Sequence, residues 1–168
     1  MVEIDPRSAE IAAFWREAGP DKWFSKDDGF DDTFRQRFQE SHFAASRREL
    51  DQWASRPEGS FALMILLDQF PRNCFRGSGH MYATDGLARH HARAAIEAGY
   101  DQAVEQAVRS FFYLPLMHSE DIADQNISVK RCTPIGGETL KYAHHHREII
   151  ERFGRFPHRN RILGREIT

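Results

Sequence analysis

Apolar residues recur at three- and four-residue intervals along most of the chain, which is the spacing of one face of an α-helix. Within residues 7–18, for example, Ile11, Phe14 and Trp15 fall on a single stripe. The alternating apolar and polar residues that flank a β-hairpin turn are nearly absent. The sequence therefore predicts an all-α fold.

Seven helices are predicted from this periodicity and from the glycine, proline and capping residues that interrupt it. We place them at residues 7–18, 32–53, 58–70, 85–99, 102–114, 119–131 and 138–153. The third is apolar on nearly every face, so we expect it to be buried and to end at Phe70-Pro71. Short connectors favour stacked antiparallel helix pairs in one domain over residues 1–168, although no repeat of fixed length is visible.

The charge and cysteine content limit the partners and the location that we expect. A formal net charge of -2 gives no bulk cationic field, so neither nucleic acid nor a membrane is expected as a partner. The longest apolar run, FALMILL at residues 61–67, is too short to cross a bilayer. Cys74 and Cys132 have no CxxC spacing and the acidic N-terminus lacks a signal peptide, so we expect a cytoplasmic protein without disulfides.

The basic residues are almost all arginine: 19 of the 23 lysine and arginine residues are Arg. The planar guanidinium pairs with carboxylates and phosphates and tolerates partial burial better than the lysine ammonium. This bias favours internal ion pairs or anion binding, and a GC-rich genome would explain it equally well.

Asp68 lies in the last turn of the predicted buried helix, where both the helix dipole and burial disfavour a carboxylate. Arg72 and Arg76 are close enough in sequence to compensate its charge. One interpretation is a structural ion pair in the core. The other is a carboxylate held by these arginines at the edge of a pocket.

A second polar cluster occurs in YLPLMHSED at residues 113–121, which places His118, Glu120 and Asp121 beside a helix start. A histidine next to carboxylates can perform acid–base chemistry. A capping residue followed by an acidic first turn explains the acids without any chemistry, but it does not explain His118. The same residues could bind a divalent metal, but no second histidine follows at the four-residue spacing of a helical metal site, so this signal is weak and we assign no metal ligands.

The three consecutive histidines at residues 144–146 diverge by about 100° each on a helix, so they cannot converge on one ion. Only His146 falls on the apolar stripe of its helix, while His144 and His145 face solvent. His146 is then either a hydrogen-bonded histidine of the core or a residue of the pocket.

The segment ERFGRFPHRNRILGR at residues 151–165 contains five arginines in fifteen positions. Gly154 ends the preceding helix and Phe156 can anchor the segment to the core. Such irregular, anchored segments often carry sites. We interpret its polar residues either as anion ligands or as partners of the acids described above: Arg155, His158, Arg159 and Asn160.

Three of these phrases, LLDQFPRNCFRG, YLPLMHSED and RFGRFPHRNRILGR, occur together with WFSKDDGFDDTFRQRF at residues 23–38. In combination they resemble the bacterial proteins of domain of unknown function 924, and the resemblance covers essentially the whole chain. It implies a tetratricopeptide-like superhelix and no particular activity. The phrases typical of that family include Asp68, Arg72, Asn73, Arg76, His118, Glu120, Asp121, His146, Arg155, His158, Arg159 and Asn160.

Two functions are compatible with the sequence. The first is an enzyme or binding protein for a small anionic molecule, with Asp68, His118, Glu120 and Asp121 as the catalytic candidates and the remaining family residues as ligand-binding candidates. The second is a helical interaction module whose ion pairs are purely structural. Polar phrases from three separate segments favour the first, because peptide grooves rely on broader apolar surfaces. Cofactor, reaction and oligomeric state stay open.

Overall fold

The structure, a computed structural model, describes residues 3–168. Helix accounts for 73% of it and no strand occurs in the described part of the chain, which confirms the all-α prediction. The α-helices are α1 (Pro6–Ala18), α2 (Pro20–Trp23), α3 (Asp28–Ser46), α4 (Pro57–Met64), α5 (Phe70–Cys74), α6 (Asp85–Glu97), α7 (Gln106–Arg109), α8 (Leu114–Met117), α9 (Ile122–Cys132) and α10 (Gly137–Phe153).

Helix α3 begins and ends earlier than its sequence pattern predicts. It begins at residue 28 because the Asp27 side chain accepts a hydrogen bond from the Phe30 N–H at 3.0 Å, which caps the first turn. It ends at residue 46 rather than 53, and Arg48 then adopts a left-handed backbone with φ of 65°. The remaining apolar residues of the pattern lie in a separate 3₁₀ turn, Asp51–Ser55.

The predicted buried helix is confirmed, but its course differs from the prediction. Between α4 and α5 the residues Ile65–Gln69 form a π-helical turn, in which the Phe70 N–H bonds to the Ile65 carbonyl. The helix therefore continues through Pro71 instead of ending there. Every residue of the π turn is buried, so this segment forms the centre of the molecule.

Side chains from other elements satisfy the carbonyls that the π turn and Pro71 leave free. The Leu66 carbonyl is 2.7 Å from Nδ1 of His42, and the Leu67 carbonyl accepts a 2.6 Å hydrogen bond from the Thr84 hydroxyl. Pro71 has no N–H to offer the Leu67 carbonyl, four residues earlier. The irregular turn is thus stabilised by α3 and by the residue that precedes α6.

The fifth predicted helix, residues 102–114, is broken into short pieces. A 3₁₀ turn, Ser110–Phe112, separates α7 from α8. The Arg109 side chain donates to the carbonyls of Asp101 at 2.9 Å and Val104 at 3.2 Å. A side chain therefore replaces the backbone N–H groups that would bond these carbonyls in a regular helix. The prediction of one continuous helix over residues 102–114 is wrong.

The last two helices lie close to their predicted positions. Helix α9 begins at residue 122 rather than 119, because Asp121 caps it by accepting the Ala123 N–H at 2.8 Å. Helix α10 ends at Gly154, whose φ of 68° suits a residue without a side chain. Helices α9 and α10 pack along one another beside α8, while α1, α3 and α6 surround α4 and the π turn. The tetratricopeptide-like arrangement of these pairs stays a prediction.

Two further expectations concern the cysteines and the membrane. Cys74 and Cys132 are both free and buried, and burial raises the pKa of their thiols to about 12 and about 11. Neither is therefore a thiolate nucleophile at neutral pH. Among residues 3–168, no helix combines the length and the apolar character that crossing a bilayer requires.

Candidate functional site

Asp68 lies in the π turn, and its side chain is 1% exposed. Its carboxylate accepts hydrogen bonds from His118 Nδ1 at 2.8 Å, from the Arg72 guanidinium at 3.3 Å and from the side-chain amide of Gln69 at 2.8 Å. Burial alone would raise the pKa of Asp68, but the charges of His118 and Arg72, together with these hydrogen bonds, hold it at about 2. Asp68 is therefore a buried anion with three donors.

Arg72 joins Asp68 to a second buried carboxylate, that of Asp85 at the start of α6. Its guanidinium binds Asp85 through two hydrogen bonds of 2.7 and 2.9 Å. Burial would lower the pKa of Arg72, but the negative charges of Asp68 and Asp85 raise it overall, so the guanidinium keeps its charge. The expected compensation of Asp68 by Arg76 is wrong, since the Arg76 Nε lies 3.6 Å from Asp31 instead.

His118 follows α8, and its ring lies between Asp68 and an open cavity. Because the carboxylate of Asp68 accepts the proton on Nδ1, the neutral ring carries its lone pair on Nε2. No group of the described residues bonds to that nitrogen, and His118 lines the cavity. The arrangement leaves one nitrogen of a fixed imidazole available to a bound molecule.

His146 lies beside His118, with 6.1 Å between the two ring centroids. Its Nδ1 is 2.8 Å from the Tyr142 carbonyl and donates to it. Burial, followed by the charge of His118, lowers the pKa of His146 to about 4, so this ring is neutral at physiological pH. His144 and His145 are exposed, as the helical spacing predicts.

The cavity has a volume of about 540 Å³ and lies between α5, α8 and α10. Its α5 side is polar: Gln69, Arg72 and Asn73 share one helical face, and Arg76 follows. Its apolar lining comes from α2 and α8, and α10 contributes further residues that include His146. A volume of this size is typical of small-molecule sites.

The arginine-rich segment, residues 151–165, contacts the backbone of the site and does not line the cavity. Arg159 is 6% exposed and donates to the His118 carbonyl at 2.8 Å. Its guanidinium lies 4.5 Å from the Tyr82 ring centroid and 4.6 Å from that of Phe156. Burial and the charge of Arg72 lower the pKa of Arg159, while Asp85 at 3.7 Å opposes this effect. Arg159 thereby fixes the backbone at His118.

The other polar residues of this segment have different surroundings. Asn160 is buried, and its amide donates to the Thr168 hydroxyl at 3.2 Å. His158 is largely exposed beside the Phe156 ring, and partial desolvation of its imidazole, followed by the charge of Arg159, lowers its pKa. Arg155 is half-buried without an ion pair to any described residue. These three residues lie outside the lining of the cavity.

Glu120 and Asp121 have structural partners. Glu120 accepts two hydrogen bonds from Arg165, at 2.8 and 3.0 Å, and one from the Phe156 N–H at 2.8 Å. Desolvation would raise the pKa of Glu120, but Arg165 and this N–H lower it overall. Asp121 caps α9. Both therefore hold the arginine-rich segment and α9 in place, and neither lines the cavity.

Several residues of the site have no signal in the sequence. The sequence predicts only that Asp85 lies at a helix start, and its pairing with Arg72 depends on the path of the loop that precedes α6. Tyr82 and Asp31 are likewise brought in by the fold. Gln69 could have been found, because it precedes Arg72 by three residues and therefore shares its helical face.

The fold and these contacts define an all-helical protein with a network of buried ion pairs at its centre. The chain belongs to a family described as bacterial protein of unknown function, DUF924, whose sequence model matches residues 11–168. This confirms the resemblance noted in the sequence. A solved structure of ATU0120, a protein of unknown function from Agrobacterium tumefaciens, is 60% identical over 96% of this chain and 92% of that one, with a TM-score of 0.94. No curated protein matches the chain.

Proposed function

We propose that this protein binds a small anionic molecule in the cavity, and that His118, oriented by Asp68, exchanges a proton with it. One observation carries the proposal: a buried carboxylate holds one nitrogen of an imidazole whose other nitrogen borders the cavity. Most polar atoms of buried side chains are bonded within the protein, whereas Nε2 of His118 borders the cavity instead. This arrangement supports acid–base chemistry.

The charge of Asp68 determines what His118 can do. Because the carboxylate stays ionised, it fixes the tautomer with the proton on Nδ1, and Nε2 then acts as the base. After Nε2 accepts a proton, the same carboxylate stabilises the imidazolium that has formed. The neighbouring His146 is neutral, so it adds no opposing charge.

Two arginines at the polar side of the cavity support an anionic ligand. Arg76 is 40% exposed and lies 3.6 Å from Asp31, so its guanidinium has donors left for an anion. Arg72 keeps a positive charge beside His118. Planar guanidinium groups bind carboxylates and phosphates through paired hydrogen bonds. Glu138 also lines the cavity, but its exposed side chain lies 3.8 Å from Lys141.

The proposal is tested by thermal unfolding with acetate, butyrate, hexanoate and inorganic phosphate. An anion present at ten times its dissociation constant should stabilise the protein by about 1.4 kcal/mol, which for a chain of this size is about 3–6 °C. Arg76→Gln should reduce this shift. The matched control Arg161→Gln removes the same charge from an exposed position outside the cavity and should leave the shift unchanged.

The role of His118 is tested with two substitutions. In His118→Asn the side-chain amide can replace Nδ1 as the donor to Asp68, whereas His118→Ala loses this hydrogen bond as well as Nε2. If His118 exchanges a proton with the ligand, anion binding by the wild type should depend on pH. His118→Asn should fold normally and lose this pH dependence. If no anion stabilises the wild type, or if the pH dependence persists in His118→Asn, the proposal is wrong.

The helical interaction module is the second candidate. Phe24 is 68% exposed and Tyr142 is 54% exposed, and both border the cavity. Exposed aromatic residues are enriched where proteins bind one another. A protein that shows no response to any of the anions would favour this candidate.

A further inference from the structure

The apolar side of the cavity is not explained by anion binding alone. Trp23 and Phe24 at the end of α2, together with Leu114 and Met117 of α8, form its apolar wall. The Trp23 indole is fixed by a 2.6 Å hydrogen bond from its N–H to the Trp15 carbonyl. The wall is therefore pre-formed and presents carbon atoms to whatever occupies the cavity.

Phe24 is the most exposed member of this wall. Its ring stacks on Phe111 with 5.9 Å between centroids, yet 68% of the residue stays exposed. Tyr142 lies at the α10 side of the same opening and is 54% exposed. Two exposed aromatic rings thus border the cavity, whose lining also includes Arg72 and Arg76.

We infer that the cavity binds an amphiphile, with a carboxylate or phosphate head at the arginines and an apolar body along the α2–α8 wall. This inference rests on the proposed function and names the class of its ligand. Charge complementarity assigns the head to the arginines, and the aromatic and aliphatic residues of the α2–α8 wall are where the body is expected. A cavity of about 540 Å³ is larger than a lone carboxylate or phosphate requires.

The inference predicts a dependence of affinity on chain length. Each methylene group that leaves water on binding contributes about 0.8 kcal/mol, which corresponds to an affinity gain of about fourfold. Dissociation constants for acetate, butyrate and hexanoate, measured by isothermal titration calorimetry, should therefore fall by about this factor per methylene. The alcohol 1-hexanol, which lacks the charge, should bind more weakly than hexanoate. Comparing hexanoate with hexyl phosphate then identifies the head group.

Substitutions at the arginines and in the apolar wall distinguish binding of the charged head group from binding of the apolar chain. Phe24→Ala should weaken hexanoate binding about tenfold and leave acetate binding unchanged, since acetate has no apolar chain that could pack on this ring. Phe153→Ala is the matched control, because it removes an equally large, 39% exposed ring from outside the cavity. Arg76→Gln should weaken acetate and hexanoate by the same factor. Circular dichroism verifies that each variant is folded.

The possible outcomes distinguish this inference from the proposed function. Measurable acetate binding without a gain for hexanoate would overturn the inference and leave the proposed function standing. Binding of 1-hexanol as tight as that of hexanoate would overturn the assignment of the head group. If no acid or phosphate binds, both fall. Light scattering shows whether the chain dimerises. If carboxylate binding weakens as dimers form, a second copy of the chain occupies the cavity, and the inference is overturned.

Discussion

Asp68→Asn tests whether the buried carboxylate of the site is held as an anion. The contacts of Asp68 place its pKa at about 2, against an ordinary value of 3.8. A difference of this size corresponds to about 2 kcal/mol of stability contributed by the charged form. Asparagine has nearly the same shape and can still accept from His118, but it has no charge that titrates.

The lowered pKa of Asp68 determines in which pH range its charge stabilises the protein. Because the folded-state pKa of Asp68 lies below its unfolded value, the charged form stabilises the folded protein above about pH 4. This contribution is lost as the pH falls from about 4 to about 2, where the carboxylate becomes protonated in both states. The asparagine variant has no such contribution to lose.

Urea unfolding of the wild type and of Asp68→Asn between pH 7 and pH 2 measures this contribution. The difference in unfolding free energy should shrink by about 2 kcal/mol as the pH falls from about 5 to 2. Asp32→Asn, in an exposed side chain of α3, is the matched control and should show little change. A difference that does not vary with pH, or that grows in acid, would refute the reasoning, because burial would then outweigh the charges around Asp68.

Three further predictions concern the fold around the site. Burial lowers the pKa of His42 from 6.5 to about 4, so the folded protein should lose about 3 kcal/mol of stability as the pH falls from 6.5 to 4. Urea unfolding of His42→Asn should not show this loss. Equal pH profiles for the wild type and the variant would contradict the prediction. Thr84→Val should destabilise by about 1–3 kcal/mol, since it leaves the Leu67 carbonyl unbonded, whereas Thr84→Ser should restore most of the loss in the same unfolding assay. Gly59→Ala should lower the melting temperature, although alanine has the better helix propensity, because the new Cβ would lie 2.2 Å from the Trp53 carbonyl oxygen. An unchanged melting temperature would contradict this prediction.

The predictions from sequence succeed where local patterns determine the structure. The burial of α4, the termination of α10 at Gly154 and the exposure of His144 and His145 all follow from periodicity and capping. The π turn could not be predicted this way. It depends on Thr84 and His42, which lie in other segments and satisfy carbonyls that a regular helix would have bonded internally.

The contacts of the candidate site also differ in whether they are local in sequence. Asp68 and Arg72 are four residues apart in one helix, so their pairing is local and the sequence indicates it. The contact between Asp68 and His118 joins residues 50 positions apart, and only the packing of α8 against the centre of the fold creates it. The sequence suggested both residues as candidates, but it could not show that they are partners.

The crowded arginines near the C-terminus are explained in part by a closed chain of contacts around the site. Asp68 binds Arg72, Arg72 binds Asp85, and Asp85 lies 3.7 Å from Arg159. Arg159 then donates to the carbonyl of His118, whose ring returns to Asp68. Each buried charge in this chain has partners on both sides, so removing one member leaves its neighbours incompletely paired. The stability contributions of these residues are therefore coupled rather than additive. The same coupling fixes the His118 ring at the cavity, so the ion pairs can be structural and still serve the proposed chemistry.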